Sequence, residues 1–169
     1  MQGKKSGHRD ITLNNTGRAQ AVKAAYILKK YKIDVIVASP LKRTRETAEI
    51  IAKIINKPIV YYENIKEINW GSMEGKTAAE TKKEWNDFFN GREVPGVEPL
   101  KKFQLRVVTA IDDILSKYSN PLIVSHGGVF GNFISVTGTA YQKTNNSVPY
   151  IFIPNPDSSK SLFLFEELK

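Results

Sequence analysis

Apolar residues follow two spacings along the chain, one typical of helices and one typical of buried strands. From about residue 14 to residue 31 the apolar positions fall three or four apart, with Asn14 or Thr16 available as the amino-terminal cap, which predicts a helix. Residues 35–38 are four consecutive short apolar residues, the pattern of a strand buried on both faces of a parallel sheet. A second helix is predicted after Pro40.

The alternation of strands and helices continues toward the carboxyl end. Further strands are predicted at KPIVYYE (57–63) and PLIVS (121–125), a polar helix near 78–89, a helix over 129–136, and a hairpin of 148–153 with 161–168. A long helix is predicted with these residues inward: Leu100, Phe103, Val107, Ile111, Ile114 and Leu115. Strands that alternate with helices predict an α/β domain, with a mostly parallel sheet and helices on both of its faces.

Composition narrows the class of protein without choosing a function. A length of 169 residues fits a single domain, 1–169, and no apolar run approaches the roughly 20 residues that span a bilayer, so no membrane partner is expected. The absence of cysteine excludes thiolate nucleophiles and disulfides, and together with the lack of a signal peptide it predicts a cytoplasmic protein. A formal net charge of +8 favours anionic partners.

Polar residues that can bind an anion follow the predicted strands. Ser39 to Arg43 follow the first strand, a loop containing Glu67 follows the second, and His126-Gly127-Gly128 follow the third. The carboxyl ends of parallel strands share one edge of the sheet, where ligands bind. An arginine, a carboxylate and a histidine at one edge suit a phosphomonoester, because the arginine binds two oxygens, the histidine donates to a third and the carboxyl protonates the leaving oxygen.

Each of these residues also has a structural reading. A lone histidine such as His126 is often a satisfied core residue, Arg43 and Arg45 can belong to the solvated face of a helix, and Glu67 can be an ordinary loop carboxylate. Ser125 does not form a dyad with its neighbour, since adjacent strand residues point to opposite faces. Two histidines without clustered carboxylates make a poor metal site, so no metal is expected.

Five stretches in order resemble one known family. They are GHRDITLNNTGRAQA, SPLKRTRETAEIIA, IKEINWGSMEG, PGVE and SHGGV. Together they resemble the histidine phosphatase superfamily, the phosphoglycerate-mutase-like phosphatases, over nearly the whole chain. The resemblance implies a three-layer α/β/α fold and phosphoryl transfer through a phosphohistidine, without metal or other cofactor. It implies that Arg43 grips the phosphate, Glu67 donates the proton, His126 is the second, non-nucleophilic histidine, and Gly127 adds a backbone donor.

One motif of that family has no counterpart here. The family opens with a strand that ends in Arg-His-Gly and carries the nucleophilic histidine, whereas residues 1–10 are too polar for a buried strand. His8 matches the variable loop before the first helix rather than the nucleophile. The family's Gln-Gly in that loop corresponds either to Gln2-Gly3 or to Ser6-Gly7, a possible binding loop. Smaller departures from the family pattern are Val97 and Pro99.

Three explanations of the absent strand are open. The native protein starts upstream of Met1, the sheet closes differently, or another chain supplies the strand; we favour the first, because the remaining site positions look intact.

These features predict a phosphatase of small phosphorylated metabolites, inactive in the form of this chain alone. A phosphatase is favoured over a mutase because only 19 residues, Lys76 to Val94, separate two of the motifs. The alternative is a non-catalytic module that binds a phosphorylated ligand and has lost the nucleophile. Nucleic-acid binding ranks last, since only the net charge favours it. The sequence leaves the oligomeric state open.

Overall fold

The predicted parallel sheet is present and the strand over residues 35–38 is its centre. The structure is a computed structural model that describes residues 3–138, 145–159 and 161–169. Strand β1 (Val35–Ala38) pairs in parallel with β2 (Ile59–Tyr61) on one side and with β3 (Pro121–Val124) on the other, giving the order β2-β1-β3. All four residues of β1 are buried, as its uninterrupted apolar run predicts.

Five α-helices lie within the described residues, close to where the apolar spacing predicts them. They are α1 (Asn15–Leu28), α2 (Lys42–Ile55), α3 (Lys82–Phe89), α4 (Leu100–Lys117) and α5 (Gly127–Val136). The side chain of Asn14 accepts a hydrogen bond from the Gly17 amide at 2.8 Å, so Asn14 caps α1 as one of the two predicted candidates. None of the helices in the described part of the chain is long and apolar enough to cross a membrane.

Alternate residues of β1 face two different helical layers. Val35 and Val37 pack into a core that includes the inward face of α4, whereas Ile36 and Ala38 pack into a second core with buried residues of α1 and α2. Because successive strand residues point to opposite faces, one short strand divides the two cores. The arrangement is the α/β/α sandwich that the sequence predicts.

One residue of α4 faces the other way from the prediction. The inward face of the helix comprises Phe103, Val107, Ala110, Ile111 and Ile114. Leu115 is 45% exposed, so the prediction that it faces inward is wrong. Leu115 lies about 100° around the helix from Ile114, which takes it off the narrow stripe that contacts the sheet.

The predicted carboxyl-terminal hairpin forms a separate small sheet. Strand β4 (Tyr150–Pro154) pairs antiparallel with β5 (Phe163–Glu167), and Phe152 lies opposite Phe165. Aromatic rings on one face of this hairpin pack on Phe130 of α5. Among the described residues β3 pairs only with β1, and β4 only with β5, so the outer edge of β3 carries no strand.

Candidate active site

The three segments that follow the parallel strands meet at one edge of the sheet. His126, two residues after the end of β3, places Nε2 2.8 Å from the Ser39 Oγ that follows β1. Glu67, after β2, places Oε2 3.1 Å from the amide of Gly128 at the start of α5. Residues distant in sequence therefore meet where the parallel topology predicts a ligand crevice.

His126 is buried and held without charge. Its residue is 9% exposed, and its partner Ser39 is completely buried. Burial, together with the positive charge of Arg43, lowers the pKa of His126 to about 3. The imidazole is thus neutral at pH 7 in the unliganded protein, and an anion bound beside it would favour its protonation.

Glu67 is a buried carboxyl group whose surroundings favour its protonated form. Its carboxyl accepts hydrogen bonds from the amides of Ile68 at 3.0 Å and Gly128 at 3.1 Å. Burial raises the pKa of Glu67, and these hydrogen bonds and the charge of Arg43 offset part of that rise. A Cβ at Gly128 would collide with the Glu67 carboxyl, so a larger residue at this position would displace that carboxyl.

The two glycines that follow His126 differ in their surroundings. The amide of Gly128 is already bonded to Glu67. At Gly127 a Cβ would meet no protein atom within 4 Å, so the space beside this residue is open. The role of Gly127 as a backbone donor stays a prediction.

Arg43 presents a positive charge that no carboxylate pairs in the described part of the chain. Its Nη1 and Nη2 donate to the carbonyls of Arg9 at 3.1 Å and Gly7 at 2.8 Å, and none of the ion pairs among the described residues includes it. Burial lowers the pKa of the Arg43 guanidinium, although the charge of Glu67 acts in the opposite direction. A half-buried, unneutralised guanidinium is a natural anion-binding group.

The Ser6-Gly7 loop lies at this site. Gly7 has φ +48° and packs against Glu74, whose Oε1 accepts from the His8 amide at 2.6 Å, and the Gly7 carbonyl binds Arg43. The other candidate, Gln2-Gly3, includes Gln2, which lies outside the described residues. His8 places Nε2 2.8 Å from the Glu67 carbonyl oxygen.

Sequence reasoning missed two charged residues beneath the site. Arg106, on α4, forms a bidentate pair with Glu98 and reaches three backbone carbonyls before Ile68. Two weak signals for this pair are present in the sequence. Glu98 ends the PGVE stretch, and Arg106 precedes the inward-facing Val107. Across residues 3–138, 145–159 and 161–169, no three histidine or acidic side chains are grouped so that they could hold a metal ion.

The fold and the site define an α/β domain that carries an arginine, a buried histidine and a protonatable glutamate at the carboxyl edge of its parallel sheet. The chain belongs to the histidine phosphatase superfamily, since the model of "Histidine phosphatase superfamily (branch 1)" matches residues 1–145. The resemblance drawn from the five motifs is confirmed.

Relatives in sequence are named as phosphatases and phosphoglycerate mutases. A Bacillus subtilis protein named "Uncharacterized phosphatase PhoE" is 36% identical over 129 residues, which are 75% of this chain and 65% of the relative. The Escherichia coli protein named "Probable phosphoglycerate mutase GpmB" is 33% identical over 139 residues, which are 76% of this chain and 64% of the relative. The chain therefore spans less than two thirds of the length of these relatives.

Solved structures share the fold over almost the whole chain. Bacillus stearothermophilus YhfR superposes with a TM-score of 0.80 at 23% identity, covering 96% of this chain and 87% of its own. The α-ribazole phosphatase of Shigella flexneri gives 0.79 at 21% identity, covering 98% and 88%. A mycobacterial glucosyl-3-phosphoglycerate phosphatase gives 0.80 at 18% identity, covering 98% and 91%.

Proposed function

We propose that this chain carries the phosphate-binding and proton-donating part of a phosphatase that hydrolyses small phosphomonoesters through a phosphohistidine. The observation that carries the proposal is the meeting of Arg43, Glu67 and His126 at one edge of the sheet. Relatives named as phosphatases agree with this class of reaction. Zero cysteines and a net charge of +8 fit a cytoplasmic enzyme with an anionic substrate.

In the proposed reaction Glu67 acts first as an acid and then as a base, and each of the other residues has one role. A histidine nitrogen from the family's Arg-His-Gly strand attacks phosphorus, and the bond from phosphorus to the ester oxygen breaks. Glu67 gives its proton to that leaving oxygen, while Arg43 and His126 stabilise the charge on the equatorial oxygens. Glu67 then takes a proton from water, whose oxygen attacks phosphorus as the bond from phosphorus to the histidine nitrogen breaks, which releases inorganic phosphate and the free histidine.

We further propose that the nucleophile comes from residues upstream of Met1. The outer edge of β3 pairs with no strand of the described part of the chain, which supports this proposal, because an additional parallel strand there would end at the same edge as β1 and β3. Such a strand would also bond backbone groups of β3 that have no strand partner among the described residues. We expect the upstream coding sequence to encode an in-frame strand that ends in Arg-His-Gly. A stop codon there would show that the nucleophile does not come from upstream residues.

Hydrolysis of p-nitrophenyl phosphate by two forms of the protein tests the reaction. We expect no turnover by residues 1–169 and turnover by the form extended to include the upstream strand, which Glu67→Gln and His126→Ala both reduce severely. Turnover by residues 1–169 that His126→Ala abolishes would contradict the requirement for an added nucleophile.

The second candidate is a module that binds a phosphorylated ligand without hydrolysing it. The Arg43 guanidinium, which makes no ion pair within the described residues, lies beside neutral His126 and favours anion binding whether or not a nucleophile is present. This function predicts that the extended form binds phosphate and leaves p-nitrophenyl phosphate intact. Hydrolysis of p-nitrophenyl phosphate by the extended form, measured together with its phosphate binding, therefore separates the two functions.

A further inference from the structure

Each backbone carbonyl of residues 64–67, the segment that carries the Glu67 side chain, accepts a hydrogen bond from a side chain. Arg106 Nη1 donates to the carbonyls of Asn64 and Lys66, each at 2.9 Å, and Nη2 donates to the carbonyl of Glu67 at 2.9 Å. Ser125 Oγ donates to the Ile65 carbonyl at 2.6 Å, and His8 Nε2 lies 2.8 Å from the Glu67 carbonyl oxygen. This segment lies outside any sheet ladder, so side chains satisfy carbonyls that would otherwise be unpaired.

Arg106 itself is fixed from the opposite side. Its Nε donates to Glu98 Oε1 at 2.6 Å and its Nη2 to Glu98 Oε2 at 2.8 Å, in a pair whose side chains are 17% and 11% exposed. Burial acts to raise the pKa of Glu98, but the hydrogen bonds and charge of Arg106, together with the Asn69 amide, keep that pKa below its ordinary value. The Glu98 amide donates to the Asn69 carbonyl at 2.8 Å, and the Asn69 amide donates to Glu98 Oε2 at 3.3 Å, so the carboxylate belongs to the same packed loop.

We propose that Arg106 is a positioning residue for Glu67, which sets the backbone of residues 64–67 so that the Glu67 carboxyl meets the amide of Gly128. The planar guanidinium makes five hydrogen bonds in fixed directions, and a lysine ammonium cannot reproduce them. The proposal rests on the proposed function only for the role of Glu67 as proton donor. The claim about its position stands on geometry alone.

The alternative is that Arg106 contributes stability alone. The two explanations differ in what they predict for Glu67. If Arg106 positions Glu67, loss of the guanidinium releases the Glu67 carboxyl from the Gly128 amide and from its buried surroundings. If Arg106 only stabilises the fold, a folded variant keeps both. The elevated pKa of Glu67 provides the signal, because it depends on that burial.

Nuclear magnetic resonance of Arg106→Lys decides between them. In the native protein the Gly128 amide resonance should shift as Glu67 titrates. In Arg106→Lys, where the positive charge is kept, we expect the Gly128 amide to lose most of that shift and the Glu67 carboxyl, followed by carbon-13 labelling, to titrate at a lower pH nearer that of exposed glutamate. An unchanged Gly128 shift and an unchanged Glu67 titration would overturn the proposal.

Arg92→Lys is the matched control, because Arg92 is an exposed arginine that pairs with Asp87. It should leave both resonances as in the native protein, and a change there equal to that of Arg106→Lys would overturn the assignment. If Arg106→Lys does not fold, Arg106→Gln is examined for the Gly128 shift alone. If neither folds, Glu98→Gln, which removes the carboxylate that fixes Arg106, is examined for the same Gly128 shift: loss of the shift supports the proposal, and an unchanged shift overturns it.

The outcome is independent of whether the protein is a phosphatase. Inorganic phosphate titrated into the native protein tests the anion site, and its failure to bind would count against the proposed function while leaving the Arg106 result intact. Conversely, if the native protein binds phosphate and the titration of Glu67 is unchanged in Arg106→Lys, the proposed function is retained but Arg106 does not position Glu67.

Discussion

Two arginines near the same edge of the sheet have opposite kinds of surroundings. Arg106 is paired with a largely buried carboxylate and uses its guanidinium for five hydrogen bonds to the protein. Arg43 donates to two backbone carbonyls and makes no ion pair within the part of the chain that the structure describes. The first arrangement consumes the donors of the side chain, whereas the second leaves a positive charge for an external anion.

The difference separates the support of a site from the site itself. Substitution of Arg106 should affect the folded structure and the position of Glu67, whereas substitution of Arg43 should affect binding and leave stability nearly unchanged. A protein in which both arginines behaved alike would contradict this division.

The largest expected effect is on stability, at Arg106. Arg106→Gln leaves Glu98 largely buried without its partner, and removing one member of a buried pair costs about 3–5 kcal/mol, with about 3 expected here because the pair keeps some exposure. Urea denaturation measures this loss of unfolding free energy. Arg18→Gln, which breaks the more exposed pair with Glu46, should cost less than about 1 kcal/mol. Equal losses in the two variants would contradict the prediction.

His126 should make stability fall in acid. Its folded pKa of about 3 lies below the ordinary 6.5, so the unfolded chain binds more protons and stability is lost as the pH falls from about 6.5 toward 3. Between pH 7 and pH 4 the native protein should lose about 3 kcal/mol more than His126→Gln. Denaturation at several pH values measures the difference, and parallel curves for the two proteins would show that the histidine is not buried in neutral form.

Arg43 should control anion binding. Arg43→Gln removes two charge-assisted hydrogen bonds to a bound oxyanion and should weaken the binding of orthovanadate by about 100-fold, as calorimetry can measure. Arg45→Gln is the matched control, because Arg45 lies two residues further along α2 and stacks on Tyr61 at 5.1 Å, and it should bind as the native chain does. Equal affinity of the two variants would remove Arg43 from the site.

The smallest effect is expected at Ser39. Ser39→Ala leaves the buried Nε2 of His126 without its partner and should cost about 1–2 kcal/mol in unfolding free energy. Ser116→Ala also removes a serine hydrogen bond, but on the exposed surface, so the cost there should be near zero. A Ser39→Ala protein as stable as the native one would mean that His126 finds another partner.

Much of the fold was predictable because its signals are local. The apolar run over residues 35–38 and the spacing before residue 31 each depend on neighbours a few positions away, and both elements were found where predicted. The hairpin was predicted, but its separation from the parallel sheet and the outward direction of Leu115 were not predictable in this way. They depend on how wide a stripe of α4 the sheet covers and on which strands pair.

The candidate site was predictable only in part. Strand ends and family motifs predicted that Arg43, Glu67 and His126 share one edge of the sheet, whereas nothing local predicted the clamp of Arg106 and Glu98. A charged residue on a helix gives no signal of what it touches, since the carbonyls that Arg106 binds lie about forty residues earlier.

The sequence by itself determined the order of strands and helices, the buried centre of the sheet and the kinds of polar residue that follow each strand, because each is encoded in short-range periodicity. The tertiary structure alone decided which polar groups meet: Ser39 with His126, Gly128 with Glu67, Arg106 with Glu98, and Arg43 with no carboxylate among the described residues. Hydrogen bonds require partners within about 3 Å, and only the packed chain brings distant residues that close.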